Sequence, residues 1–233
     1  MLRPMNKHLH IATTLLGTLT LVLAMHGCDK GSGPANQDDV PKAAGPNPLS
    51  VIMRTDKGAF EIRLRPDLAP RSVTNFCNLV ERGFYHGKEI SAANTVARTM
   101  GETRRVPKYQ LPQEFSPTLY FNTSGVVAWS NRPRGEFDDF EPHPTRFFVT
   151  VAPQPDWNLK YTPFGTIEDG SDTLLNSKKG DWILSARVVG DPTWLYELHA
   201  DELAKWNAEL DATGHTRAGE ENRTIRDLPV NSN

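Results

Sequence analysis

Cysteine is almost absent. Cys28 and Cys77 are the only two in 233 residues, and once Cys28 is used otherwise, no intramolecular disulfide can form even outside the cytoplasm. His86, His143, His199 and His215 show no CxxC, HExxH or paired-histidine spacing, which removes the usual sequence signatures of a metal site. No glycine loop able to cradle a phosphate occurs either, so no metal and no cofactor is expected. Positive charge is not in excess: 26 Lys and Arg stand against 28 Asp and Glu. Such a balance offers no basic field for nucleic acid or an anionic membrane surface. The apolar run IATTLLGTLTLVLAM, residues 11–25, falls short of the roughly 20 residues that a spanning helix needs. What is left is the composition of one ordinary globular domain with appendages, expected to be a monomer.

The N-terminal appendage has its own logic. Arg3 and Lys7 precede the apolar run, and together they read as a signal peptide over residues 1–27. Gly27 directly before Cys28 resembles the lipobox of bacterial lipoproteins, in which the cysteine takes lipid and becomes the new N-terminus. That resemblance implies export to the bacterial cell envelope, with lipid on Cys28 anchoring the chain to a membrane so that it faces the periplasm or the outside. The residues up to 48, rich in Gly, Pro, Ala and Asp, have little to bury and read as a tether. About 20 flexible residues span on the order of 25 Å, enough to lift a domain from a headgroup layer.

The folded part begins with VIMRTDKGAFEIRL, residues 51–64, whose apolar and polar side chains alternate on both sides of DKG, as in a β-hairpin with one buried face. In APRSVTNFCNLVERG, residues 69–83, Pro70 opens a helix, Val73, Phe76, Cys77 and Val80 form one stripe, and Gly83 stops it. Cys77 on that stripe reads as core. Further short β-rich runs lie at 119–121, 125–130, 146–152, 164–167 and 181–189. Several close-spaced strands with one early helix favour a barrel or sandwich over alternating βαβ units. Residues 190–214 differ: Asp191 can cap, Pro192 opens, and Tyr196, His199, Leu203, Trp206 and Leu210 recur at helical spacing. One C-terminal helix over 191–214 is expected, with His199 packed against the domain and a frayed tail over 215–233.

DKGAFEIRLRPDLAPRSVTNFCNLVERGFYHG, followed by YQLPQEF at 109–115, GVVAWSN at 125–131 and TRFFVTVAPQPDWNLKYTPFGTI at 145–167, is similar to the cyclophilins, the prolyl cis-trans isomerases. The resemblance covers 49–190. It implies a mainly β fold, a closed eight-stranded antiparallel barrel capped by two helices, the second near EDGSDTLLNSKK. It implies proline-containing polypeptides as partners. In that family an apolar cup grips the proline ring, and an arginine donates to the prolyl nitrogen as amide resonance breaks.

The stretch that should carry this arginine reads GKEISAANTVARTMGE, residues 87–102. Its arginine position is Ala92. Counted on without gaps, the pocket phenylalanine falls on Ala97, a methionine on Arg98 and a substrate-binding glutamine on Met100. The resemblance places Phe148 on the floor of the cup, Trp129 and Ser130 beside it, and Trp157 and Tyr161 on the far rim. The same aromatics could instead serve only to fill a barrel interior. Arg146 shares a strand face with Phe148 and stands where the family has a neutral glutamine, which suggests a substitute donor; Arg104 and Arg105 are further candidates with Arg98. Two functions therefore stay open, a weak or altered isomerase and a scaffold that binds proline segments without turning them over. In the loop 131–145, Glu136, Asp138, Asp139 and Glu141 would select basic partners or merely be solvated.

Overall fold

The computed structural model describes residues 48–131 and 141–215. The signal sequence, Cys28, the tether up to residue 47, the acidic loop positions Glu136, Asp138 and Asp139, and the tail from 216 lie outside them. Among the described residues no helix is long and apolar enough to cross a membrane.

The chain opens with β1 (Ser50–Thr55) and β2 (Gly58–Leu64), paired antiparallel from Ser50↔Arg63 to Thr55↔Gly58. The two-residue period sends Val51, Met53, Phe60, Ile62 and Leu64 to one buried face. Helix α1 (Pro70–Glu81) follows, with proline in its first turn and Gly83 just beyond it at φ 74°, a left-handed conformation that glycine adopts without penalty. Ala69 gives the helix no side-chain cap; instead the Glu114 carboxylate accepts the N–H groups of Arg71 (3.0 Å) and Ser72 (2.8 Å). This binds the segment around 109–116 to the helix N-terminus, where negative charge is favoured.

Seven further strands complete the sheet: β3 (Lys88–Glu89), β4 (Ala92–Ala93), β5 (Ala97–Met100), β6 (Val126–Asn131), β7 (Pro142–Thr150), β8 (Pro163–Asp169) and β9 (Trp182–Val189). Their order is β3-β9-β1-β2-β8-β6-β7-β5-β4, and all the pairings are antiparallel. The outermost members, β3 and β4, are two pieces of one run, 88–93. Between them Ile90 donates to the Asp181 carbonyl (2.8 Å) and accepts from Gly180 (3.0 Å), while Ser91 donates to Thr99 (2.9 Å). That run joins both ends of the curled sheet, and counted once it makes eight strands. Phe76 of α1 enters the interior, where its ring lies 5.0–6.0 Å from those of Tyr85, Trp129, Phe147 and Phe164. Cys77 beside it is fully buried, and burial pushes its thiol pKa well up. The second cap, α2 (Ser171–Asn176), lies within the EDGSDTLLNSKK stretch.

Two expectations need correction. Residues 119–121 form no strand, because their main chain bonds outside the sheet: Leu119 donates to the Ser116 hydroxyl, and Phe121 donates to the Asn158 side chain and accepts from the Gln154 N–H. The C-terminal helix is two helices, α3 (Thr193–Leu198) and α4 (Ala200–Ala212). Between them His199 leaves helical geometry at φ −116°, ψ 30°, with its Nδ1 3.2 Å from Glu202. Both helices lie on α1 through buried Leu195, Trp206 and Leu210, with Asn78 and Arg82 bonded to Asn207 and Arg71 bonded to Glu202.

Candidate functional site

Strands β6, β7 and β5 lie side by side, and directly opposed residues on neighbouring strands share a face. Trp129, Phe147 and Met100 form one cross-strand row, and Ala128, Phe148 and Thr99 form the next. Phe147 is in the interior with α1, so its row is interior. Phe148 is one residue on and therefore faces outward. There it heads a second apolar cluster with Ala97, Leu119, Phe121, Val126 and Ala128.

Around Phe148 the outer surface sinks into an open hollow of about 400 Å³. Trp157 and Tyr161 meet the Phe148 ring edge-on at 5.2 and 5.1 Å and stand 5.3 Å from each other, while Phe121 stacks behind at 6.0 Å. A 3-10 turn at Pro155–Trp157 carries the tryptophan to this position. Burial raises the Tyr161 phenol above its ordinary pKa, so it stays protonated and able to donate. Small residues, Ser91, Ala92, Ala97 and Thr99, complete the lining with Ser130 and Asn131, and Thr99 stands between Ala92 and Phe148 in one cross-strand row. Ala92 thus lines the same hollow as Phe148.

Arg146 supplies a guanidinium to this space. It leaves β7 two residues before Phe148, and its backbone N–H is held by Nδ1 of His143 at 3.0 Å. Nη1 donates to Glu102 (3.0 Å) and Nη2 to the Asn131 carbonyl (2.9 Å). These bonds engage two of the five N–H groups that an arginine carries. The side chain is 22% exposed and that of Glu102 49%, so the pair sits at the rim, where water screens it. Lys88, nearby, is held below its ordinary pKa by burial, with Glu102 acting in the opposite direction; its ammonium lies 4.3 Å from the Phe84 ring.

Of the residues named from the sequence, the hollow gathers Ala92, Ala97, Ser130, Arg146, Phe148, Trp157 and Tyr161. Trp129 and Met100 are not among them. Both are fully buried in the interior, since Trp129 alternates with Ser130, and Met100 lies opposite Phe147. Arg98 also turns away from the hollow: its guanidinium binds the carbonyls of Asn94, Leu175 and Ser177, tying the 94–97 turn to the end of α2. Arg104 and Arg105 do not line the hollow. Thr99 and Glu102, not singled out from the sequence, do. The register opposite Phe148 would have found Thr99; nothing local marks Glu102. Glu141 is engaged with Gln110 instead. Among the described residues no group of three or more His, Cys, Asp or Glu could hold a metal ion.

Residues 50–191 match the family model described as cyclophilin type peptidyl-prolyl cis-trans isomerase/CLD. The chain is 27% identical over 169 residues to peptidyl-prolyl cis-trans isomerase-like 1 of Rhizopus delemar, covering 66% of this chain and 95% of that protein. With a peptidyl-prolyl cis-trans isomerase of Synechococcus elongatus the identity is 26% over 148 residues, covering 60% and 97%. The fold is similar to that of a cyclophilin type isomerase from Cryptosporidium parvum, at a TM-score of 0.53 and 20% identity, over 63% of this chain and all of that one. A further crystal structure of that protein, determined in the presence of the dipeptide Ala-Pro, aligns at a TM-score of 0.51. With its family model spanning both the sheet and the hollow, this chain belongs to the cyclophilin-type peptidyl-prolyl cis-trans isomerases.

Proposed function

We propose that this chain is an exported, membrane-tethered member of its family that acts on proline-containing polypeptides with weak or altered isomerase activity. The tether is the segment after Cys28, which carries the lipid. The observation that carries the reading of the activity is Ala92: the position expected to hold the donor lines the hollow with a methyl group, in the same hollow as the aromatic Phe148, Trp157 and Tyr161.

Rotation about an X-Pro bond must cross a barrier of about 18–20 kcal/mol set by amide resonance. The aromatic floor holds the proline ring and removes water from the amide. As the bond twists, the lone pair localises on the prolyl nitrogen, and a donor aimed there lowers the crest without tightening ground-state binding. Arg146 is the arginine that lines this space, and its N–H groups beyond those bound to Glu102 and Asn131 are the substitute donors. The Glu102 carboxylate draws on the same charge, which favours a slower enzyme over a fully active one. That ion pair also supports the second reading, a scaffold that grips proline segments and does not turn them over.

Exchange NMR on an Ala-Pro peptide separates the two: faster cis-trans exchange supports the enzyme, and shifts without faster exchange support the scaffold. Restoring the donor with Ala92→Arg should raise the exchange rate at least about tenfold, since one preorganised donor is commonly worth about 100- to 1000-fold. No gain in a variant that still binds the peptide would refute the assignment of Ala92 as the vacated position.

A further inference from the structure

Helices α3 and α4 lie beyond the residues matched by the family model, and the far end of α4 reaches the segment that follows Glu102, a residue lining the hollow. His215 packs its ring edge-on against Phe84 at 4.9 Å. Its Nε2 stands 3.0 Å from the Arg105 carbonyl and 3.3 Å from the Thr103 hydroxyl, so the neutral ring carries its proton on Nε2 and donates to that carbonyl. The backbone carbonyl of His215 accepts from Nε and Nη2 of Arg82, a buried side chain also bonded to Asn207 and Asp211. Further along, the Lys108 N–H donates to Glu209 (3.2 Å) and the Tyr109 ring lies 5.7 Å from Trp206. Residues 103–109 are therefore fastened along their length to α4 and its end.

The same segment starts at Gly101. Its φ is 83°, and a β-carbon added there would fall 2.1 Å from the Thr145 carbonyl oxygen, so the chain passes close against the residue before Arg146. Next comes Glu102, which holds the Arg146 guanidinium. One short path thus runs from His215 through Thr103 and Arg105 to Glu102 and into the hollow. Burial, with help from Lys88, Arg105 and Arg82, lowers the His215 pKa against the opposing pull of the Arg105 carbonyl.

We propose that His215 is a positioning residue of the hollow: by fixing residues 103–105 it sets where Glu102, and through it the Arg146 guanidinium, stands at the rim. The functional half of this rests on reading the hollow as the proline site. Displacement by about 1 Å of a group that acts on a reacting bond can cost up to about 100-fold in rate, so a device that holds this segment has leverage on the site.

The test uses the full chain, with the Arg146 Nε–Hε signal and Ala-Pro peptide binding and exchange both followed by NMR below the unfolding range. His215→Ala removes the bond to Arg105, His215→Phe removes it while keeping a ring on Phe84, and His215→Gln keeps a donor. The Ala and Phe variants should move the Arg146 signal and weaken peptide affinity or exchange by about tenfold, and Gln should restore both. An Arg146 signal unmoved by Ala and Phe, or moved equally by Gln, overturns the proposal even where melting temperature falls. A wild-type chain that binds no peptide refutes the proline-site reading instead, while the Arg146 signal still decides whether His215 positions the rim.

Discussion

Removing Arg146 separates stability from rate. In Arg146→Ala the chain loses an ion pair with a half-exposed Glu102 and a hydrogen bond to the Asn131 carbonyl. An exposed pair is worth about 0–1 kcal/mol and the hydrogen bond about 0.5–1.5 kcal/mol. The sum is roughly 0.5–2.5 kcal/mol, and no buried charge is stranded because Glu102 reaches water. For a domain of this size, that corresponds to a fall in Tm of about 1–10 °C. The effect on rate belongs to another scale: if this guanidinium stabilises the twisted amide, its loss costs about 100- to 1000-fold in exchange. Thermal unfolding and exchange NMR on an Ala-Pro peptide read the two numbers on one sample. Arg146→Lys should recover most of the stability and little of the rate, since an ammonium keeps the charge but not the planar fork. An exchange rate in Arg146→Ala equal to that of wild type, with the peptide still bound, would show that Arg146 is not the donor.

Three further outcomes follow from the packing and the charges. Gly101→Ala must place a β-carbon at the Thr145 carbonyl in a left-handed conformation; the variant should lose at least about 2 kcal/mol in denaturant unfolding, from backbone strain and the shift of Thr145 together, and an unchanged midpoint would contradict the described backbone there. Cys77 is fully buried with its thiol pKa raised, so a thiol reagent should label it no faster than the domain opens, whereas rapid labelling of the native chain would mean that α1 does not pack as described. His215 has a lowered pKa in the folded state. Above about pH 6.5 it is neutral in both states; as pH falls from there toward the folded value, the unfolded chain takes up the proton first and stability drops. His215→Gln should flatten that part of the stability profile, and an equally steep profile in the variant would assign the slope to other groups.

The outline of the domain was legible in the chain because its signals are local. Alternation around Asp56 and Lys57 marked the opening hairpin, and Pro70 and Gly83 bracketed α1 within a residue or two, since each acts on its own backbone torsions. The C-terminal break at His199 was not legible: the apolar spacing continues through it, and what ends α3 is the burial of that side chain beside Glu202. Residues 119–121 look like a strand in composition, but Leu119 bonds back to Ser116 and Phe121 to a loop over thirty residues away. In the hollow, Trp129 and Met100 were misplaced because resemblance assigns positions singly, whereas a strand assigns them in alternation.

Sequence alone determined the strand and helix periodicities, the alanine at position 92 and the aromatic residues at 148, 157 and 161, because residue identity and spacing are properties of the chain itself. Tertiary structure decided that Ala92, Phe148 and Arg146 share one hollow, that Glu102 holds the guanidinium there, and that the end of α4 fastens the segment bearing Glu102. Those are meetings between residues up to about a hundred positions apart, and only the closing of the sheet and the docking of the C-terminal helices on α1 bring them within reach.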